Sequence, residues 1–152
     1  MEKILEDGLL SSDFLMKIHR ICQMLKIEPD INLLIVECDT LKEFNELTKK
    51  PYSTGAVYVS NLIITQPFRI LKAKGVFEET LLHEVLHHLI QKNFNLPEWL
   101  EEGFILYILG TKPNEISGKS RLYLQRFLSE VRYEEIPDLF DRYRILSSNG
   151  NN

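Results

Sequence analysis

The longest predicted element is residues 76–93, which contain neither proline nor glycine. A helix turns by about 100° per residue, and at that spacing the apolar residues of this stretch gather on one side. The residues that would lie on this side are Leu82, Val85, Leu86 and Leu89. The sequence therefore predicts an amphipathic helix, and the chain must fold so that its apolar side is buried.

The other side of this helix carries His83, Glu84 and His87, which belong to the sequence HEVLH and have the HExxH spacing. His83 and His87 would lie about 40° apart, and Glu84 about 60° from His87 and about 100° from His83. Two imidazoles at this spacing can bind one Zn²⁺, and the glutamate can reach a metal-bound water. The motif predicts a zinc site, and the alternative is a surface helix with solvated histidines. His88 would point about 100° away from His87, and His19 lies on another predicted helix.

A catalytic zinc needs a third protein ligand and one open position. The next segment, NLPEWLEEGFILYILG, predicts a second helix that begins near Pro97. Its predicted inward face consists of Trp99, Glu102, Leu106 and Leu109. An inward carboxylate is costly to desolvate unless it is paired or bound to a metal. Glu102 is therefore the candidate third ligand.

The neighbours of Glu102 support this choice. Gly103 has no side chain, as expected where two helices approach closely. Glu98 and Glu101 fit a solvated face better, as most glutamates do. We therefore expect these two glutamates to be solvated.

HEVLH followed by PEWLEEGF resembles the gluzincin metallopeptidases, over about residues 76–110. That family combines HExxH with a glutamate from a following W-L-x-E-G helix. The resemblance implies that His83, His87 and Glu102 are the metal ligands and that Glu84 is the general base. It also implies one Zn²⁺ per chain, and the chain length is similar to that of the minimal single-domain members, the minigluzincins.

The sequence also departs from the large gluzincins. Only 14 residues separate His87 from Glu102, which is shorter than in those enzymes. Tyr107 matches the trailing aromatic of the family motif, but no residue matches the family's oxyanion-stabilising Tyr or His. Arg121, Tyr123 and Tyr133 are the candidates, and a structural role is the expectation for each.

The resemblance implies a zinc-dependent peptidase, a hydrolase that acts on peptides or unfolded protein segments. It implies a zincin-like α+β fold, in which a small mixed sheet has an edge strand packed on the active-site helix and further helices follow. The strand AVYVS or LIIT would bind an extended substrate by strand addition. The alternatives are a latent or inactive zinc-binding scaffold, with the C-terminal segment over the cleft in the latent form, and a helical interaction module without metal.

The remaining sequence predicts the α+β class by itself. An N-terminal helix should be capped by Ser11 or Ser12, and INLLIVEC should form a strand. TLKEFNELTKK should be helical, and AVYV and LIIT suggest a hairpin around Ser60-Asn61 or two edge strands. The residues expected to face inward are Phe14, Ile18, Ile21 and Leu25 in the first helix and Leu41, Phe44 and Leu47 in the second. Helices are expected at 76–93, 97–110, 118–132 and 137–144, within one domain at 1–146 that is followed by a tail at 147–152.

Composition excludes several classes of partner. The net charge of −4 and the pI of about 5.6 do not suggest binding to nucleic acid or to an anionic membrane. The sequence has neither a signal peptide nor an apolar run of the roughly 18 residues that cross a bilayer, so we expect a cytoplasmic protein, whose oligomeric state stays open. Cys22 and Cys38 form no metal-spaced pair and are expected to be free buried thiols.

Overall fold

The structure, a computed structural model, describes residues 10–146 and the backbone of residues 2–4. These residues form a mixed α+β fold. Contacts divide the chain into two units, one of residues up to His19 with Pro29–His88 and one of Arg20–Glu28 with Leu89 onward. Two of the three boundaries, at His19–Arg20 and His88–Leu89, fall within helices, and the third, at Glu28–Pro29, lies outside a helix. A single domain over 1–146 stays a prediction, and the predicted tail at 147–152 lies outside the described residues.

The first unit contains a mixed four-stranded sheet in the order β1-β2-β4-β3. Strands β2 and β4 are parallel, whereas β1 pairs with β2 and β3 with β4 in antiparallel fashion. The bounds of the strands are Glu2–Ile4 for β1, Leu34–Glu37 for β2, Ala56–Val59 for β3 and Leu62–Thr65 for β4. Strand β3 therefore lies at one edge of this sheet.

The hairpin predicted around Ser60-Asn61 is confirmed. Strands β3 and β4 are antiparallel, and Val59 is opposite Leu62, so Ser60 and Asn61 form a two-residue turn. Both have positive φ, 45° for Ser60 and 68° for Asn61, as the commonest two-residue hairpin turns require. The backbone N–H of Asn61 donates to the Tyr58 hydroxyl at 3.1 Å, which ties the turn to the strand before it.

The predicted helices are all present, with ends that differ by a few residues. The bounds are Ser12–Leu25 for α1, Leu41–Thr48 for α2, Phe68–Ala73 for α3, Phe77–Asn93 for α4, Glu98–Ile108 for α5, Gly118–Glu130 for α6 and Ile136–Asp141 for α7. Ser11 rather than Ser12 caps the N-terminus of α1, because its hydroxyl accepts from the Phe14 N–H at 3.2 Å. The short helix α3 was not predicted.

The apolar side predicted for α4 is confirmed, since Leu82, Val85, Leu86 and Leu89 are each at most 4% exposed. The inward residues of α1 are also buried as predicted. In α2 the prediction is wrong for Leu47, which is 56% exposed, whereas Phe44 is fully buried. Leu47 lies about 60° around the helix from Phe44, so it falls at the margin of the narrow buried face of this short helix.

The second unit is built around α5, α6 and α7, with fully buried aromatic rings between them. Phe104 packs edge-to-face against Phe127 and Phe140. The expected close approach at Gly103 is confirmed, because a Cβ there would lie 2.8 Å from the Phe127 Cβ and 2.9 Å from the Tyr123 carbonyl oxygen. Glycine is therefore required at this contact between α5 and α6.

The described part of the C-terminal segment is fixed within the second unit. The Arg144 guanidinium donates to the carbonyl oxygens of Leu25 and Lys26 at 3.1 and 3.3 Å, and it lies 5.0 Å from the ring centre of Phe94. The Ile145 N–H donates to the Asn93 carbonyl oxygen at 2.9 Å. Arg144 and Ile145 are thus held to the ends of α1 and α4.

Both cysteines are free and buried, as expected. Burial raises the pKa of the Cys22 thiol to about 11, and the negative charge of Glu28 adds to this effect. Burial likewise raises the pKa of Cys38, with Glu43 contributing in the same direction. Among the described helices, none combines the length and the apolar character needed to cross a membrane.

Candidate metal centre

Helix α4 presents His83, Glu84 and His87 on the side opposite its buried apolar residues. His83, Glu84 and His87 are all half-buried. The ring centres of the two histidines lie 5.1 Å apart, as expected for imidazoles one helical turn apart. Because the far side of α4 is packed into the core, these side chains project from a well-anchored helix.

Glu102 completes a group that could hold a metal ion. One ligand atom from each of His83, His87 and Glu102 lies within 4.8 Å of the other two, and Glu102 is also half-buried. The chain is short between them, since α4 ends at Asn93 and α5 begins at Glu98. The group therefore comes from two consecutive helices joined by a four-residue connection.

The chemistry of these donors fits a zinc ion. Zinc is bound by imidazole nitrogen and carboxylate oxygen at about 2.0–2.2 Å, and catalytic sites use three protein ligands with one position open. Tetrahedral ligands at that distance are about 3.4 Å apart, so side-chain rotation would bring these atoms slightly closer together. The same donors also suit Fe²⁺, Co²⁺ and Mn²⁺, and the ligand set alone does not define the metal.

The structure corrects the reasoning that led to Glu102. In α5 the fully buried residues are Leu100, Phe104 and Ile105. Of the predicted inward face, Leu106 is buried as expected, whereas Trp99 and Leu109 are half-buried. The buried face is thus rotated relative to the predicted one, because α6 packs against the Gly103 side of α5. Glu102 lies at the margin of this face rather than on it. Its distinguishing property is its proximity to the two histidines.

The neighbouring glutamates behave differently from each other. Glu98 is exposed, and its carboxylate lies 3.9 Å from the Lys119 ammonium. Glu101 is half-buried rather than solvated as expected, and its Oε2 accepts from Gln91 Nε2 at 2.8 Å. Burial therefore does not separate Glu101 from Glu102, and only Glu102 belongs to the candidate metal-binding group.

His88 has a role that the sequence did not indicate. It is fully buried, and its Nδ1 lies 3.0 Å from the Tyr58 hydroxyl oxygen of β3. The two rings also meet edge-to-face, with centres 5.5 Å apart. The 100° offset from His87 directs His88 toward the sheet, but its partner could not be identified from sequence because strand β3 is 30 residues away.

The remaining candidate residues are Tyr107, which matches the family motif, and the three oxyanion candidates. The Tyr107 ring lies 5.2 Å from that of Phe127, and Tyr123 is half-buried on α6. Arg121 and Tyr133 are exposed. A role for Arg121, Tyr123 or Tyr133 in stabilising an oxyanion is not tested by these positions, and the general-base role of Glu84 stays a prediction.

The chain was also compared with models of protein families, with curated proteins and with solved structures, and none of the three comparisons found a match. The class of site defined by the geometry is a His-His-Glu group that could hold a metal ion.

Proposed function

We propose that this protein is a zinc-dependent peptidase of the gluzincin type that hydrolyses peptide bonds. The observation that carries the proposal is the gathering of His83, His87 and Glu102 within 4.8 Å, with Glu84 directly after the first of them. Two imidazoles and a carboxylate, with a second carboxylate next to the first imidazole in sequence, form one of the sets of groups that support metal-assisted hydrolysis.

Each residue has a distinct part in this proposal. His83, His87 and Glu102 would hold the zinc ion. When bound, zinc supplies Lewis-acid chemistry, which lowers the pKa of water and polarises a carbonyl group. Glu84 would accept a proton from the attacking water and deliver it to the leaving amine. Glu84 is half-buried, so it lies outside the fully buried side of the helix.

The substrate in this proposal is an extended peptide or an unfolded protein segment. Strand β3 lies at an edge of the sheet and carries a Tyr58 side chain that contacts α4. An extended peptide can add to such an edge through backbone hydrogen bonds. The pairing would place the peptide beside the helix that carries His83, Glu84 and His87.

Catalysis is tested by the substitution Glu84→Gln. We expect peptide cleavage to fall by about 10²–10⁴-fold, the usual contribution of a general base, with zinc content unchanged. Glu79→Gln is the matched control, since Glu79 is an exposed glutamate of the same helix, and its cleavage rate should equal that of wild type. A zinc-loaded Glu84→Gln variant that cleaves as fast as wild type would contradict the mechanism.

Metal binding is tested separately by native mass spectrometry of the purified protein. We expect one zinc ion per chain in wild type and a weakened or absent signal in Glu102→Ala. Glu101→Ala is the control, because Glu101 is an equally half-buried neighbour outside the candidate ligand set. Zinc without cleavage would instead indicate a latent or non-catalytic zinc-binding protein, and no zinc in wild type after reloading would exclude the proposed site.

A further inference from the structure

The edge strand β3 is held against α4 at two places within the first unit. At its N-terminal end, an added Cβ on Gly55 would lie 3.0 Å from the Thr80 Cγ2 and 3.1 Å from the Leu71 Cδ2. Near its other end, the Tyr58 hydroxyl meets His88. Backbone and helix are thus in close contact at Gly55, and a hydrogen bond joins them at Tyr58.

The distance between the two contact points is similar along α4 and along β3. Thr80 and His88 are eight residues apart, about 12 Å along a helix. Gly55 and Tyr58 are three residues apart, about 10 Å along a strand. Strand β3 therefore runs nearly alongside α4 and in the same direction, and the stretch of helix between its two anchors contains His83, Glu84 and His87.

The Tyr58 hydroxyl is the more specific of the two anchors. It forms a hydrogen bond with His88 Nδ1 at 3.0 Å, and the imidazole tautomer decides which of the two groups is the donor. It also accepts from the Asn61 N–H at 3.1 Å. One oxygen atom thus connects the helix, the strand and the positive-φ turn. His88 is fully buried, and loss of a partner for a buried polar group is costly, so the pair strongly favours one position of the strand.

We propose that Tyr58 and His88 are a positioning pair that sets where edge strand β3 lies along the metal-ligand helix, and thereby where an extended peptide chain is held. This inference rests on the proposed function for the identity of the substrate. In this proposal the pair acts through the strand, and it contacts neither the metal ion nor the peptide bond that is cleaved. It should therefore affect peptide binding far more than zinc binding.

The test uses the zinc-loaded Glu84→Gln protein as a non-cleaving parent and fluorescently labelled β-casein, an unfolded protein, as the probe. Adding Tyr58→Phe removes only the hydroxyl, and with it the bonds to His88 and from the Asn61 N–H. We expect binding measured by fluorescence anisotropy to weaken by at least about fivefold, the effect of losing a single hydrogen bond. Zinc content should be unchanged. Tyr52→Phe is the matched control, because it removes a hydroxyl from a half-exposed tyrosine before β3 and should bind as the parent does.

His88 supplies a second, independent pair of variants. An asparagine at this position keeps a hydrogen-bonding group near that of Nδ1, whereas a leucine does not. We expect His88→Asn to bind casein more tightly than His88→Leu. A role limited to stability would lower the melting temperature of both variants without this difference in binding, measured well below that temperature.

Each result leads to a definite conclusion. A Tyr58→Phe variant that binds casein as tightly as its parent overturns the positioning role, as does a parent that binds no casein or a variant that loses zinc as well. The proposed peptidase function fails in a different way. A wild-type protein that binds casein with the expected dependence on Tyr58 but never cleaves it would retain the positioning pair and refute the hydrolase.

Discussion

The two sides of helix α4 differ in what they contribute. On one side, Val85 and Leu86 are fully buried. On the other, His83, Glu84 and His87 are only half-buried and are spaced so that two of them join a candidate metal site. The core side fixes the helix in place, and the other side can then hold ionisable groups in a set geometry. The difference suggests that stability and chemistry can be altered independently by changing adjacent residues.

The sharpest test of this comparison is the same substitution at two adjacent positions. Leu86→Ala removes a fully buried side chain and should lower the free energy of unfolding by about 2–5 kcal/mol, while the folded protein keeps its zinc. His87→Ala should abolish stoichiometric zinc binding but change the unfolding free energy of the metal-free protein by less than about 1 kcal/mol. Urea unfolding without metal, together with native mass spectrometry, measures both quantities.

The comparison fails if the two effects are not separable. A metal-free His87→Ala protein as unstable as Leu86→Ala would mean that the histidine side also belongs to the core. Zinc loss from a folded Leu86→Ala protein would mean that the ligand geometry depends on each core contact behind it.

A second, smaller effect is expected on α5, where Gly103 follows the candidate ligand Glu102. A methyl group at Gly103 would meet the Phe127 Cβ at 2.8 Å, so Gly103→Ala should cost about 1–3 kcal/mol of unfolding free energy through overpacking. Glu98→Gln on the exposed part of the same helix should change it by less than about 0.5 kcal/mol. Equal stabilities in chemical denaturation would show that α5 and α6 can separate without cost.

The smallest expected effect concerns Cys22, a buried ionisable group that contrasts with the accessible residues of α4. Its pKa is raised from the ordinary value of 9.0 to about 11, so the unfolded chain releases the thiol proton first as the pH rises. The thiol's contribution to stability is thus complete below pH 9 and is lost as the pH approaches 11. At pH 10 the loss is on the order of 1 kcal/mol.

Cys22→Ala should remove this part of the pH dependence. The difference between the unfolding free energies at pH 8 and pH 10 should be smaller in the variant than in wild type by about that amount. Denaturant titrations at the two pH values give the comparison, and a pH dependence identical in both proteins would show that the thiol does not retain its proton on folding.

Features that depend on local spacing could be predicted from the sequence. The bounds of α4, predicted as 76–93 and found at Phe77–Asn93, follow from an uninterrupted helical pattern. The Ser60-Asn61 turn follows from two flanking β-rich runs. Once the helix is known, the two histidines of HEVLH must lie on one face, because they are four residues apart.

Features that depend on distant partners could not be predicted. Helix α3 has only six residues, too few for a helical period to emerge, and the three-residue strand β1 is defined by its pairing with β2. The buried face of α5 was misplaced because it depends on where α6 packs at Gly103. The partner of His88 was missed for the same reason, since no local pattern connects it to Tyr58.

The accessible position of Glu84 has a consequence for how such a protein can diverge. A half-buried residue outside the core can be replaced without leaving a cavity. A descendant of this chain could therefore lose Glu84, the proposed general base, through a single codon change while it keeps its fold and its candidate ligands. If the proposal holds, a lineage that cleaves peptides and a lineage that only binds metal would differ by one mutation, with no unstable intermediate between them.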